Sequence, residues 1–400
     1  MEKAVIDRRS FLKLAVASGG ALAWGPFARA ALAPEALAKG ADEQYLGELA
    51  WLERRTRRLD ELYGEGLDGR LYKDLAKLTR DTLVTPNAGF YVRTRASSLL
   101  DTTTVGRPWK ITVRGLVKDP GVFDLDDLRP LVTPQGIHLL ECSGNGPGGG
   151  HGLLSAARWA GISFRELLKK VQVLPPATRV LVSGFDEYPE GTPNTSLSKP
   201  GAGWVFTFDD LDSFGAFLAT EMNGEPLPLD HGFPVRLIVP RWYGCCDIKW
   251  VNEVVLVNDE EPATSQMTEF ATRTHQNGTP ALAKDFVPAT MDHAAMPIRV
   301  EKWRTNGKSS YRVVYRIWGI LWGGESPRND LLIRFGDEPY VPVQSCPLPE
   351  TTATWSLWSH AWTPRAPGKY KIQLQLADGS VRKRRLDSGY YARSVEVTEV

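Results

Sequence analysis

The spacing of apolar residues changes character along the chain. Between Pro34 and Leu83, Leu46, Leu49, Trp51, Leu52, Leu59 and Leu62 recur at helix-like intervals among Glu and Arg, which predicts a helical extension over residues 31–83. From Thr85 to about Val257 short strands and helices mix. Lys110–Gly115 alternates as a strand, Phe123–Leu128 reads as a turn and short helix, and Gly136–Glu141 is an apolar strand that ends at Cys142. Ser163–Val171 reads as a helix with Ser163 as N-cap and Glu166 three residues on. Arg179–Gly184, Phe233–Pro240 and Val251–Val257 read as strands, and polar Asp259–Ala283 as a linker. Beyond Ala289 the pattern is all strand: Tyr311–Trp318, Asp330–Phe335, Trp355–Trp362, Gly368–Leu376 and Tyr391–Val397. The fold class is therefore α+β, with a mixed domain over residues 84–270 and a β-sandwich over 285–400.

Composition narrows the function. With 48 basic and 47 acidic residues the net charge is +1, which favours neither nucleic acid nor an anionic membrane surface as partner. The chain has 13 tryptophans, many in the last hundred residues, where they read as β-sheet packing. Its cysteines are Cys142, Cys245, Cys246 and Cys346, too scattered for a disulfide framework. No C-x-x-C or C-x-x-C-H pattern occurs, against zinc ribbons and covalent haem.

The N-terminus reads as an address over residues 1–30. Asp7-Arg8-Arg9-Ser10-Phe11-Leu12-Lys13 has the form of a twin-arginine signal, Leu14–Trp24 is too short an apolar run to span a bilayer, and Ala28-Arg29-Ala30 suits cleavage. The expectation is export to the periplasm in the folded state, with a cofactor already inserted and no integral membrane segment left after cleavage.

The candidate chemistry centres on one thiol. In Glu141-Cys142-Ser143-Gly144-Asn145-Gly146 a cysteine stands where a strand gives way to a glycine-rich loop, and such a loop lets backbone approach a bulky group. Other short motifs accompany it in order. They are Phe90-Tyr91-Val92-Arg93-Thr94-Arg95, then Ser155-Ala156-Ala157-Arg158-Trp159-Ala160-Gly161, then Gly184-Phe185-Asp186. A longer stretch runs from Glu221-Met222-Asn223-Gly224-Glu225-Pro226-Leu227-Pro228 through His231-Gly232-Phe233-Pro234-Val235-Arg236 to Trp242-Tyr243-Gly244 and Ile248-Lys249-Trp250.

In that order and spacing the chain resembles the sulfite oxidase family of molybdopterin-dependent oxidoreductases. The resemblance implies molybdenum held by one molybdopterin, with Cys142 as protein ligand and Arg93 beside the metal. It implies a pterin- and phosphate-holding set of Tyr91, Val92, Arg93, Thr94, Arg95, Asp186, His231, Arg236, Asp247, Ile248 and Lys249. The residue types make chemical sense, with a soft thiolate for the metal and the cations Arg236 and Lys249 for a phosphate. The tail, with Trp318–Gly324 and Trp355, Trp358 and Trp362, resembles the family's immunoglobulin-like dimerisation domain, which implies a homodimer. Electrons are expected to pass to a separate carrier such as a c-type cytochrome.

The pattern departs from the family at the substrate pocket. Pro147 stands where a second arginine is usual, a tryptophan is missing from Gly148-Gly149-Gly150-His151, and Phe270 falls near an expected tyrosine. His151 becomes a candidate replacement cation or proton shuttle, beside its plainer reading as a loop histidine. Cys245 and Cys246 also depart, and are read as packed thiols over a vicinal disulfide. Oxidation of sulfite is the leading expectation. The alternatives are reduction of a sulfoxide, and a cofactor-free periplasmic binding or scaffolding protein.

Overall fold

A computed structural model of the chain describes residues 43–65, 68–94, 106–185, 202–306, 311–349, 351 and 353–400. The export signal, Arg95 and Asp186 lie outside the described residues. Strands dominate, with only short helices among the described residues. No helix among them is long and apolar enough to cross a membrane.

Two five-stranded sheets build the first part. One runs Gly203–Thr207, Arg179–Gly184, Val251–Val257, Lys110–Gly115, Gly121–Asp124, and its Val251–Val257/Lys110–Gly115 pair is parallel. Its β-branched runs are legible because alternate residues are buried, as Ile111 and Val113 are. The other runs Glu225–Pro226, Phe217–Met222, Leu154–Ser163, Val132–Glu141, with Arg236–Ile238 also pairing Phe217–Met222. The Arg236–Ile238 strand is shorter than the expected Phe233–Pro240. Pro234 and Pro240 have no N–H to give a ladder. Leu154–Ser163, which stands out in the sequence only as a motif, is a ten-residue strand at the middle of its sheet. There Gly161 crosses the Leu218 backbone so closely that a Cβ would overlap its carbonyl.

The C-terminal part is two antiparallel sheets, each four-stranded. Val313, Tyr315 and Ile317 of one share a core with Leu331, Ile333, Ile372 and Leu374 of the other, so the two pack as a sandwich. Its longest strand, the 13-residue Ala294–Asn306, has no counterpart among the expected elements. Trp318, Trp322, Trp355 and Trp358 are all buried, as a packing role requires. Trp318, Trp322 and Trp355 belong to the core of the first part, which therefore continues into the sandwich without a break.

The helical extension is the clearest correction. Glu43–Glu48 is a strand on the edge of the sandwich, paired antiparallel with Ala294–Asn306 from Glu43↔Thr305 to Glu48↔Glu301. Tyr63–Glu65 and Asp68–Leu71 form a hairpin whose second strand pairs with Val92–Arg93. Gly47 and Gly64 sit at φ of 126° and 116°, outside helical geometry. An open strand edge some 250 residues away in sequence thus overrode the local leucine spacing. The expected linker is likewise structured. Thr264 caps the helix Ser265–Phe270 by accepting from Met267 N at 3.1 Å, and the turn Ala271–Thr274 follows.

Gly319 tests the sandwich packing. It pairs with Trp358, whose indole occupies the space a Cβ would need, so Gly319→Ala should cost about 1–3 kcal/mol in urea unfolding. A change below about 0.5 kcal/mol would show that the indole is not fixed there.

Candidate active site

The strand Val132–Glu141 delivers two consecutive side chains to opposite faces. Glu141 turns into the core and Cys142 into a cavity of about 660 Å³. The loop after the thiol is tied down. Cys142 N–H donates to Leu153 O (3.0 Å), Leu153 N–H to Asn145 Oδ1 (3.0 Å), and Asn145 N–H to Cys142 O (2.8 Å). Tyr390, from the sandwich part, donates its hydroxyl to Asn145 O at 2.6 Å. Behind the loop the Glu141 carboxylate accepts from Trp322 Nε1 (3.0 Å), Tyr391 Oη (2.9 Å), Asn145 Nδ2 (3.3 Å) and Arg385 Nη1 (3.4 Å).

The cavity brings together Tyr91, Arg93, Thr94, Cys142, His231, Arg236, Asp247, Ile248 and Lys249, each singled out from sequence. Val92 is not among its walls. Strand alternation turns it inward, where it is 1% exposed beside Gly69. Thr94 Oγ1 donates to Asp230 O (3.0 Å), and Lys249 Nζ donates to Thr94 Oγ1 and Asp230 O. Arg236 donates to His231 O (3.2 Å) and Asp247 O (3.0 Å), while Asp247 Oδ1 accepts from Val239 N–H (2.8 Å). Burial raises the Asp247 carboxyl to about 7 against the pull of Arg236 and that N–H. Burial also lifts the Cys142 thiol above its usual value, with Arg93, the Gly144 N–H and Arg273 pulling the other way.

Among the described residues on this wall, Arg236 Nε, Trp250 Nε1 and Ser143 Oγ are buried without a hydrogen-bond partner, as is His275 Nε2, which lies 3.9 Å from Asp292 Oδ2. Unanswered buried donors are costly, and their gathering on one wall fits a polar ligand with several acceptors. Gly244 adds to that fit, since a Cβ there would lie 2.7 Å from Tyr91 Oη. The donor set fits a phosphorylated pterin bearing a metal: the Cys142 thiol, and the cations Arg236 and Lys249 on the same wall.

Other wall residues carry no signal in the motifs: Tyr72, Gln266, Glu269, Arg273, His275, Arg385 and Tyr390. Gln266, Glu269 and Arg273 come from the supposed linker, where Thr264 ahead of Met267 was the one signal of a capped helix. Arg385 and Tyr390 come from the sandwich, and no local motif marks them. Phe270 does line the cavity. Cys245 lines it too, with its Sγ 3.9 Å from that of Cys246, so the pair are free thiols.

His151 takes its plainer reading as a loop histidine, and the cation or proton-shuttle role falls away. It does not line the cavity; it is 3% exposed, against the rings of Tyr390 and Tyr391. Burial, with Arg393 and Arg385 nearby, lowers it from 6.5 to about 3, so it is neutral and supplies no cation.

The chain is similar in sequence and in fold to known proteins. Residues 100–265 match the model of the oxidoreductase molybdopterin binding domain family. Mitochondrial sulfite oxidase of Drosophila melanogaster is 29% identical over 208 residues, which are 48% of this chain and 34% of that protein. The match therefore spans about a third of the fly protein's length. Sulfite oxidase of Gallus gallus is 29% identical over 329 residues, 76% of this chain and 69% of that protein. The sulfane dehydrogenase SoxCD of Paracoccus pantotrophus superposes with a TM-score of 0.61 at 17% identity, covering 94% of this chain and 96% of that one, which is a likeness of fold. Residues 100–265 thus carry a molybdopterin-binding oxidoreductase domain, and the chain is similar to the sulfite oxidases. The family's cofactor is molybdenum held by molybdopterin, and the cavity described above suits it.

The low value of His151 gives a pH dependence. Its folded value lies below the unfolded 6.5, so the unfolded chain binds a proton first and stability is lost as pH falls from 6.5 towards about 3. His151→Asn, which tolerates the φ of 58°, should flatten that fall by up to about 1.4 kcal/mol per pH unit in urea unfolding. Parallel profiles for the two proteins would contradict a buried neutral imidazole.

Proposed function

We propose that the protein is a periplasmic sulfite dehydrogenase: it converts sulfite and water to sulfate, two protons and two electrons, and passes the electrons to a separate carrier such as cytochrome c. The observation that carries this reading is the buried Cys142 thiol, on a loop tied down by hydrogen bonds, facing a cation-walled cavity that is large enough for a pterin and a small oxyanion. When bound, molybdopterin-held molybdenum supplies the oxygen transfer and stores the electrons. The chain's own residues do the rest. Cys142 is the protein's soft ligand, and its loop is held rigid by Asn145 and Leu153. Tyr91, His231, Arg236 and Lys249 hold the pterin and its phosphate, with Asp247 and Ile248 shaping that wall. Arg93 is half-buried at the cavity and draws an oxyanion towards the thiol side. A neutral sulfoxide would leave that charge unanswered, which favours the anion. The twin-arginine pattern supports export, and likeness to the family's tail supports a homodimer.

The test is metal and pterin content of wild type and Cys142→Ala, purified from a host that makes the cofactor. One molybdenum per chain is expected, with thiolate charge-transfer absorption that disappears in the variant. Sulfite should then reduce an added cytochrome c. A folded wild type without molybdenum would sink this reading in favour of a binding or scaffolding role. Turnover of sulfoxide but not sulfite would reverse the direction of oxygen transfer.

A further inference from the structure

The family reading left a gap at Pro147, where a cation is usual, and the structure shows which charge is free to fill it. Most cations on the cavity wall are already engaged. Lys249 holds Thr94 and Asp230, and Arg236 holds His231 and Asp247. Arg385 faces Glu141 and spends its other amino group on Ser143 O (2.7 Å) and Arg273 O (3.1 Å). Arg93 and Arg273 differ. Neither guanidinium has a hydrogen bond or ion pair among the described residues, although both line the cavity. The Phe270 ring lies under Arg273 at 5.4 Å, and offers a face and not an acceptor.

Arg273 is also close to the reacting end. The position that a Cβ of Gly144 would take lies 3.4 Å from Arg273 Nη1 and 3.8 Å from Cys142 Sγ. The absence of that Cβ keeps a small gap open between the two. The backbone under Arg273 is preorganised. Arg385 clamps its carbonyl, Thr274 Oγ1 donates to Phe270 O (2.9 Å), and Ala271 and Thr274 are 1% and 2% exposed. A charge fixed in place before substrate arrives costs little to use.

We infer that Arg273 is a specificity-determining residue that binds an anionic oxygen of the substrate together with Arg93, in the role left open at Pro147. This rests on the reading that the site takes a small sulfur oxyanion. A planar fork suits two oxygens of such an anion, and lysine would reach only one.

The experiment compares molybdenum-loaded wild type, Arg273→Met and Arg273→Lys. Three quantities are read at constant ionic strength: molybdenum content, KM and kcat for sulfite, and sulfate affinity by calorimetry. Arg273→Met should keep its molybdenum and bring kcat down by no more than a few-fold. Its KM should rise on the order of 10- to 100-fold, as loss of a charged hydrogen bond predicts, and sulfate should weaken by a similar factor. Arg273→Lys should recover part of both. KM and sulfate affinity within two-fold of wild type in Arg273→Met would overturn the assignment. Should wild type hold molybdenum but not oxidise sulfite, the functional reading fails on its own. Sulfate affinity then decides Arg273: weaker binding in Arg273→Met keeps its anion role, and equal binding, or none by wild type, removes it.

Discussion

A carboxylate 1% exposed to solvent must be answered by donors or be expelled, and Glu141 is answered by Trp322, Tyr391, Arg385 and Asn145. Three of these come from the sandwich part, so the charge fastens the end of the strand Val132–Glu141 to a region more than 180 residues away in sequence. Strand alternation does the rest. With Glu141 drawn into the core, Cys142 has one direction left, towards the cavity. The thiol's placement is thus a consequence of where its neighbour's charge is buried. Removing one partner of such a buried pair leaves the other uncompensated, which is the costly half of the exchange.

The same joint organises the cavity's field. Arg385 neutralises Glu141 and, with its remaining donors, holds the carbonyls of Ser143 and Arg273. One guanidinium from the sandwich therefore positions both the thiol loop and the turn that carries Arg273. Tyr390 repeats the theme through Asn145 O. The sandwich part is a wall of the site, whatever it contributes to association. Its continuity with the first core, through Trp318, Trp322 and Trp355, makes that wall rigid.

How much of this could be read in advance follows the range of the forces involved. The strands Lys110–Gly115, Arg179–Gly184 and Val251–Val257 were legible because burial imposes an alternation that each segment carries in itself. Glu43–Glu48 was not, because its state is set by the free edge of Ala294–Asn306. The meeting of distant residues in one cavity was legible because they sit in ordered motifs; nine of the named residues line it, and among the described ones Val92 turns away. Arg385 and Tyr390 were not legible, since a cation or phenol on a distant strand looks like any other surface residue.

The apparent shortage of charge near the substrate shows why a motif is a weak ruler for a field. Reading outward from Cys142 along the chain, Pro147 and a neutral His151 leave the loop without a cation. Read across space, the cavity has guanidiniums at Arg93, Arg273 and Arg385, from three segments that meet only on folding. An anion responds to the potential at one point, which depends on distance and burial and not on which strand supplies the charge. A site can therefore lose a cation at one sequence position and keep its chemistry, provided another wall is held still enough to present the replacement. The clamp of Arg385 on Arg273 O is that provision here.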